Sequence, residues 1–258
     1  MQSKIYKINL GGKMKKILSI CLVLSFVSVA VFANPLDKFN DVMNSAGSHS
    51  QARMYLDHLS KDMGKVMTGG NYGVSGNMGL GSLDIGINLN TTLVGNEIMR
   101  AEGTSRLYVP TVRASLGLVY GFDLIGKYAY FYGSNLYGLG LRYNVYESSI
   151  LFIPSITVQG MYSFLNISSN SNKVNNNNIA FGAVATFPVP FVTPYIGVGW
   201  DRTYTKAKSS NYEGLSTSTD KMTYGFGVAV SILMIKGSLG IAYNHGIPNY
   251  TVGLNLGF

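Results

Sequence analysis

The sequence predicts an all-β fold: a transmembrane, antiparallel up-and-down β-barrel of about ten strands, preceded by a short amphipathic helical segment. Three observations carry this. Apolar and polar or tiny side chains alternate with a period of two in segment after segment, which puts the two sets on opposite faces of strands. Charged residues are only 12% of the 258, against roughly 25% in typical soluble proteins, while Gly (31), Tyr (18) and Phe (12) are plentiful. The last stretch, NYTVGLNLGF, sets Tyr250, Val252, Leu254, Leu256 and Phe258 against Asn249, Thr251, Gly253, Asn255 and Gly257, and then stops. One face of such a wall meets hydrocarbon and the other a polar lumen. A secreted β-sandwich or a fibrous surface protein is the competing reading.

The net charge of +8 comes largely from the start of the chain. Lys4, Lys7, Lys13, Lys15 and Lys16 lie in the first 33 residues, which hold no acid. Without them 15 Lys and Arg face 12 acids, a net +3. No basic patch with interleaved aromatics remains, so nucleic acid is not an expected partner.

Met14-Lys15-Lys16 opens a positive region, and Ile17 to Ala33 is an apolar run ending in Val31-Phe32-Ala33. This pattern predicts a secretory signal peptide cleaved after Ala33. An uncleaved anchor is the alternative, with a run at the short end for a span. Translation is expected to start at Met14, which makes residues 1–13 an upstream extension. Cys21, the only cysteine, lies inside the run, so the mature chain carries no disulfide and no thiol chemistry.

Residues 34–67 hold no period-two run. Ala52, Tyr55, Leu56, Leu59, Met63 and Val66 recur at spacings of three and four, one face of a helix. Lys61, Asp62 and Lys65 are expected on the opposite face. Ser48 or Ser50 caps the start, and Gly69-Gly70 stops it. A shorter helix is expected from Pro35 to about Asn44. The segment is read as a plug or a periplasmic element. His49 and His58 stand singly, which suits solvated or structural roles better than metal binding.

After a Gly-rich connector at 68–81, the barrel is expected over 82–258. The first strand, 82–93, sets Leu83, Ile85, Ile87 and Leu89 against Asp84, Gly86 and Asn88. The next eight are placed near 106–119, 122–131, 136–146, 152–166, 178–187, 194–204, 220–234 and, after a turn at Lys236-Gly237, around Leu239, Ile241 and Tyr243. The terminal strand is the tenth. Ten residues at ~3.3 Å each, tilted by ~40°, span about 25 Å, the height of the apolar band of such barrels. Eight or twelve strands remain open. With the C-terminus placed in the periplasm, the outer connections are 94–105, 132–135, 167–177, 205–219 and 245–248. The stretches at 166–178 and 205–221 are rich in Asn, Ser and Thr, and are expected to be mobile loops.

The terminal strand resembles the C-terminal strand of bacterial outer-membrane β-barrels, which characteristically ends in Phe. The chain also resembles an uncharacterised family of such barrels with an N-terminal helical segment. Ala52-Arg53-Met54-Tyr55-Leu56, Gly70-Asn71-Tyr72, Pro110-Thr111-Val112-Arg113 leading to Tyr120-Gly121-Phe122-Asp123, and Thr193-Pro194-Tyr195-Ile196-Gly197-Val198-Gly199 carry that resemblance. It covers most of the mature chain and brings no catalytic residues. It implies a bacterial outer-membrane location, with outer-membrane lipid and the barrel-assembly machinery as partners. Tyr250, Val252, Leu254, Leu256 and Phe258 would form the assembly signal.

Three functions are open. The favoured one is a non-enzymatic, narrow porin-like pore or carrier for small solutes or lipids. Asp84, Arg113, Asp123, Lys127 and Arg142 would be its lumen-facing charges. The same five could equally be an ion-pair network closing a solid lumen. A surface-exposed structural or adhesin barrel would act through its outer loops. An outer-membrane enzyme would draw on His245, Asp201 and Asp220, which no spacing ties together. No metal or nucleotide cofactor is suggested. The inward glycines, among them Gly138, Gly182, Gly197, Gly199 and Gly225, reflect either wall curvature or room cleared for residues 34–67. In the second case Tyr55, Leu56, Leu59 and Met63 are expected to pack at the periplasmic end.

Overall fold

A computed structural model describes residues 46–73, 78–95, 100, 105–148, 150–151, 153–169, 172–208, 214–244 and 246–258. The expected signal peptide, the start at Met14, the short helix from Pro35 and the side chain of His245 lie outside them.

Ten strands close into one antiparallel barrel: β1 (Leu83–Leu93), β2 (Arg106–Gly117), β3 (Phe122–Phe131), β4 (Ser134–Tyr146), β5 (Ser155–Ser169), β6 (Asn172–Thr186), β7 (Val192–Ala207), β8 (Ser216–Ile232), β9 (Ile235–Asn244) and β10 (Ile247–Gly257). Each strand pairs with its sequence neighbours, and β1 closes the ring on β10 from Asp84↔Gly257 to Thr92↔Asn249. Closure leaves no unpaired edge, the condition for a sheet in hydrocarbon. Phe258 extends this seam: its N–H donates to the Leu83 carbonyl (2.8 Å), and its own carbonyl accepts from the Leu83 N–H (3.1 Å).

The two faces of the wall separate cleanly. On β4, Tyr137, Leu139, Leu141, Tyr143 and Val145 are exposed outward, while Arg142 between them is buried inside. On β10, Tyr250, Val252, Leu254 and Phe258 are exposed; Leu256 is covered in the wall between its register partners Ile85 and Ile235. The outward face changes to polar residues at Arg202 and Asp220, an exposed ion pair (2.5 and 2.7 Å) with Arg202 over the Trp200 ring.

The helix α1 (His49–Thr68) lies inside this ring. Ser48 is its N-cap, the hydroxyl oxygen accepting from the Gln51 N–H at 3.3 Å. Gly69 ends it, and Gly70 turns the chain at φ 73°. Residues 69–73 continue inside the ring, and β1 starts at the rim where β10 ends. That rim is called the seam end below; the opposite rim is the far end.

Four expectations need correction. The helix packs at the far end, not the seam end: its apolar face meets Leu107, Val109, Phe131, Leu136, Leu165 and Ile167, from strand segments beside the far-end connections. Asp62 and Lys65 are not on a solvated face but buried at 0% and 1%, paired at 2.8 Å, with the Gly95 N–H donating to Asp62 at 2.9 Å. Enclosure on all sides leaves α1 no solvent side at that level; Lys61 does stay half-exposed, paired with Asp57.

The stretches 166–178 and 205–221 are not loop throughout: among the described residues most of both is strand, since β5 and β6 run to Ser169 and from Asn172, and β7 and β8 to Ala207 and from Ser216. Their inward residues form polar cross-strand pairs, with Asn178 Nδ2 donating to Thr203 (3.0 Å) and the Thr205 hydroxyl donating to Asn176 (2.6 Å). Finally, the β8–β9 turn falls at Leu233-Met234, not at Lys236-Gly237. Leu233 adopts a positive φ of 55° and is fully exposed. A turn in water would favour Asn or Gly there. At the edge of an apolar band, a bulky turn residue has lipid to meet.

Candidate functional site

The lumen has two storeys. In the far-end storey, Leu56, Leu59 and Met63 of α1 are at 0% exposure in a continuous apolar core with the wall. Burying each such side chain contributes about 1.5–3 kcal/mol. In the seam-end storey the lumen is polar and charged.

Where the helix ends, the wall takes over its capping. The last carbonyls of any helix lack intrahelical partners, and cations suit that end of the dipole. Lys127 Nζ donates to the Met67 carbonyl and to Asn71 Oδ1 (2.9 Å). Asn249 Nδ2 donates to the Lys65 carbonyl at 3.0 Å. Just beyond, Arg113 Nη1 donates to the Gly70 carbonyl (2.9 Å) and Gln159 Nε2 to the Asn71 carbonyl (2.6 Å). Donors from β2, β3, β5 and β10 thus hold the descending chain.

Tyr72 follows and is seated against the glycines of the opposite wall. A Cβ at Gly182 would lie 2.5 Å from its ring, and one at Gly199 would collide with its hydroxyl. The same two positions also sit close to backbone carbonyls of neighbouring strands, so the glycines serve wall curvature and Tyr72 together. The residue they clear room for is therefore Tyr72, in the connector, rather than the helix itself.

The five charges singled out from the sequence all face inward. Asp123 and Arg142 form a buried pair, Nε to Oδ2 at 2.8 Å. Lys127 and Arg113 hold the plug, as above. Asp84 lines a cavity of about 140 Å³ below Tyr72, together with Arg113, Arg142, Lys236 and Asn255. A second opening at the seam-end mouth shares Asp84 and Lys236 with it. Sequence reading missed Lys236, which it placed in a turn, and the plug-holding Gln159 and Asn249. A usable signal existed for Tyr195: by parity with Gly197 and Gly199 it points inward, and it packs there with Tyr72.

The acids weighed for an enzyme do not converge. Asp201 is buried inside, accepting from Asn244 Nδ2 (2.8 Å), the Thr223 hydroxyl (3.1 Å) and Asn178 Nδ2 (3.4 Å). Asp220 is on the outer face with Arg202. Among the described residues no group of three or more His, Cys, Asp or Glu is placed to hold a metal ion.

No family model and no curated protein matches the chain. Solved structures similar to it include the N-terminal β-barrel domain of Pseudomonas aeruginosa OprF (14% identity, TM-score 0.33), covering 70% of this chain and 99% of that one. The translocator domain of the autotransporter NalP from Neisseria meningitidis matches at 13% identity and a TM-score of 0.39, over 81% of this chain and 97% of that one. Ail, the attachment invasion locus protein of Yersinia pestis, in complex with the heparin analogue sucrose octasulfate, matches at 14% and 0.31, over 69% and 99%.

Proposed function

We propose that this protein is a bacterial outer-membrane barrel acting as a narrow porin-like pore or carrier for small solutes or lipids, held shut by its own N-terminal segment. It is not an enzyme in this reading. The chain is exported with a cleaved signal peptide, the seam end faces the periplasm, and outer-membrane lipid covers the apolar belt. The observation that supports it best is the division of the lumen. The far-end storey is sealed by α1, while the seam-end storey keeps a charged cavity that a merely structural barrel would have little reason to retain.

Planar-bilayer recording tests this. The mature chain should stay closed for most of the time. A variant lacking residues 46–73 should fold and conduct steadily, because the strand ladder does not depend on the plug for its backbone hydrogen bonds. A variant that folds and conducts no more than the intact protein counts against the pore.

Insertion by the barrel-assembly machinery belongs to the same reading, with β10 as the signal. Phe258→Ala keeps both backbone bonds to Leu83 and removes only the exposed ring. Folded, heat-modifiable protein in the outer membrane should drop several-fold, while refolding in detergent is unchanged. Normal membrane levels would remove Phe258 from the signal. A surface-binding barrel is the second reading, favoured by the polar β5–β6 and β7–β8 hairpins that run past the apolar belt.

A further inference from the structure

The seam-end cavity carries more positive charge than the described residues around it use. Arg113, Lys127, Arg142 and Lys236 face this storey against two carboxylates, Asp84 and Asp123. Lys127 is occupied with the plug. Arg142 gives only its Nε to Asp123, leaving both Nη groups without a bond among the described residues, although the side chain is only 6% exposed. Arg113 spends one Nη on the Gly70 carbonyl. Lys236 lines the cavity with no hydrogen bond or ion pair among the described residues. Unspent guanidinium and ammonium donors at membrane depth are costly unless water or an anion meets them. Guanidinium forks match the oxygens of phosphate or carboxylate, and an ammonium adds a point charge.

We propose that this cavity is a binding site for a small oxyanion, a phosphate or carboxylate group entering from the seam-end mouth and held by Arg142, Arg113 and Lys236. The site exists with the plug in place, so it goes beyond the pore reading and does not depend on it. The group belongs either to a soluble anion or to a lipid headgroup that reaches the mouth.

The test is calorimetric titration of inorganic phosphate into the folded mature protein in maltoside micelles, which contain no phosphate. Saturable binding is expected, weakened by raised salt and about tenfold by Lys236→Gln or Arg113→Gln. Lys236→Gln breaks no hydrogen bond or ion pair among the described residues, and a heat-modifiability check confirms that the variant is folded before it is titrated. Repeating the titration in phosphatidylglycerol nanodiscs separates the sources. Phosphate binding lost there identifies a lipid headgroup as the occupant, and binding kept there identifies a soluble anion. No saturable binding to the unaltered protein, or an affinity that neither substitution lowers, overturns the proposal. Neither result bears on conductance, so the site and the pore stand or fall separately.

Discussion

Leu254→Arg will lower the stability of the membrane-inserted barrel by about 2–4 kcal/mol. Leu254 is exposed on the outer face of β10, opposite Ile87 of β1 and Gly237 of β9, about midway through the apolar belt. A guanidinium there has no lumen to turn into and must snorkel or thin the bilayer. Val228→Arg, outward on β8, should behave alike. Ser231→Arg is the control: it faces inward and lines the seam-end mouth, where a long side chain reaches water. The measure is the folded fraction in bilayers of fixed thickness against denaturant. Equal losses for Leu254→Arg and Ser231→Arg would mean that the inside–outside assignment of the wall is wrong.

Leu59→Asp should release the plug without unfolding the barrel. Leu59 is at 0% exposure in the far-end core, so the change forfeits about 2–5 kcal/mol of packing. It also buries a carboxylate with no partner, which costs several kcal/mol more. The wall's ladder is untouched, so a heat-modifiable barrel should persist. Lys65 reports the outcome, since it is buried in the intact protein and trypsin cannot reach it. In the Leu59→Asp protein, cleavage after Lys65 should appear and conductance should rise. Leu59→Met, which conserves volume, should leave Lys65 protected. A folded Leu59→Asp barrel with Lys65 still protected would show that α1 is held by its polar contacts alone.

Those polar contacts are also where sequence reasoning stopped. Strands such as β4 and β10 were legible because Leu139, Leu141 and Tyr143, or Val252 and Leu254, contrast sharply with the Gly, Arg and Asn between them. The helix was legible from the spacing of Ala52, Tyr55, Leu56, Leu59 and Met63, and its end from Gly69. The extensions of β5 to β8 past the belt were not. There polar residues such as Asn175, Asn176, Thr205 and Lys206 stand on both faces, with only Ile167, Val174 and Ala207 apolar inside, so the hydropathy contrast is weak although the ladder continues as regularly as in the rest. The Leu233-Met234 turn was hidden because turn preferences describe chains turning in water.

By itself, then, the sequence determined the wall, its alternating faces and the presence of an amphipathic helix, since each rests on contrasts between residues a few positions apart. Tertiary structure alone decided which end the helix occupies and that Asp62 and Lys65 are sealed in with it. It also decided that Lys127, Arg113, Gln159 and Asn249 grip the chain below the helix and that Tyr72 sits among glycines more than a hundred residues away. These contacts join residues that only closure of the ring brings together, and no local period records them.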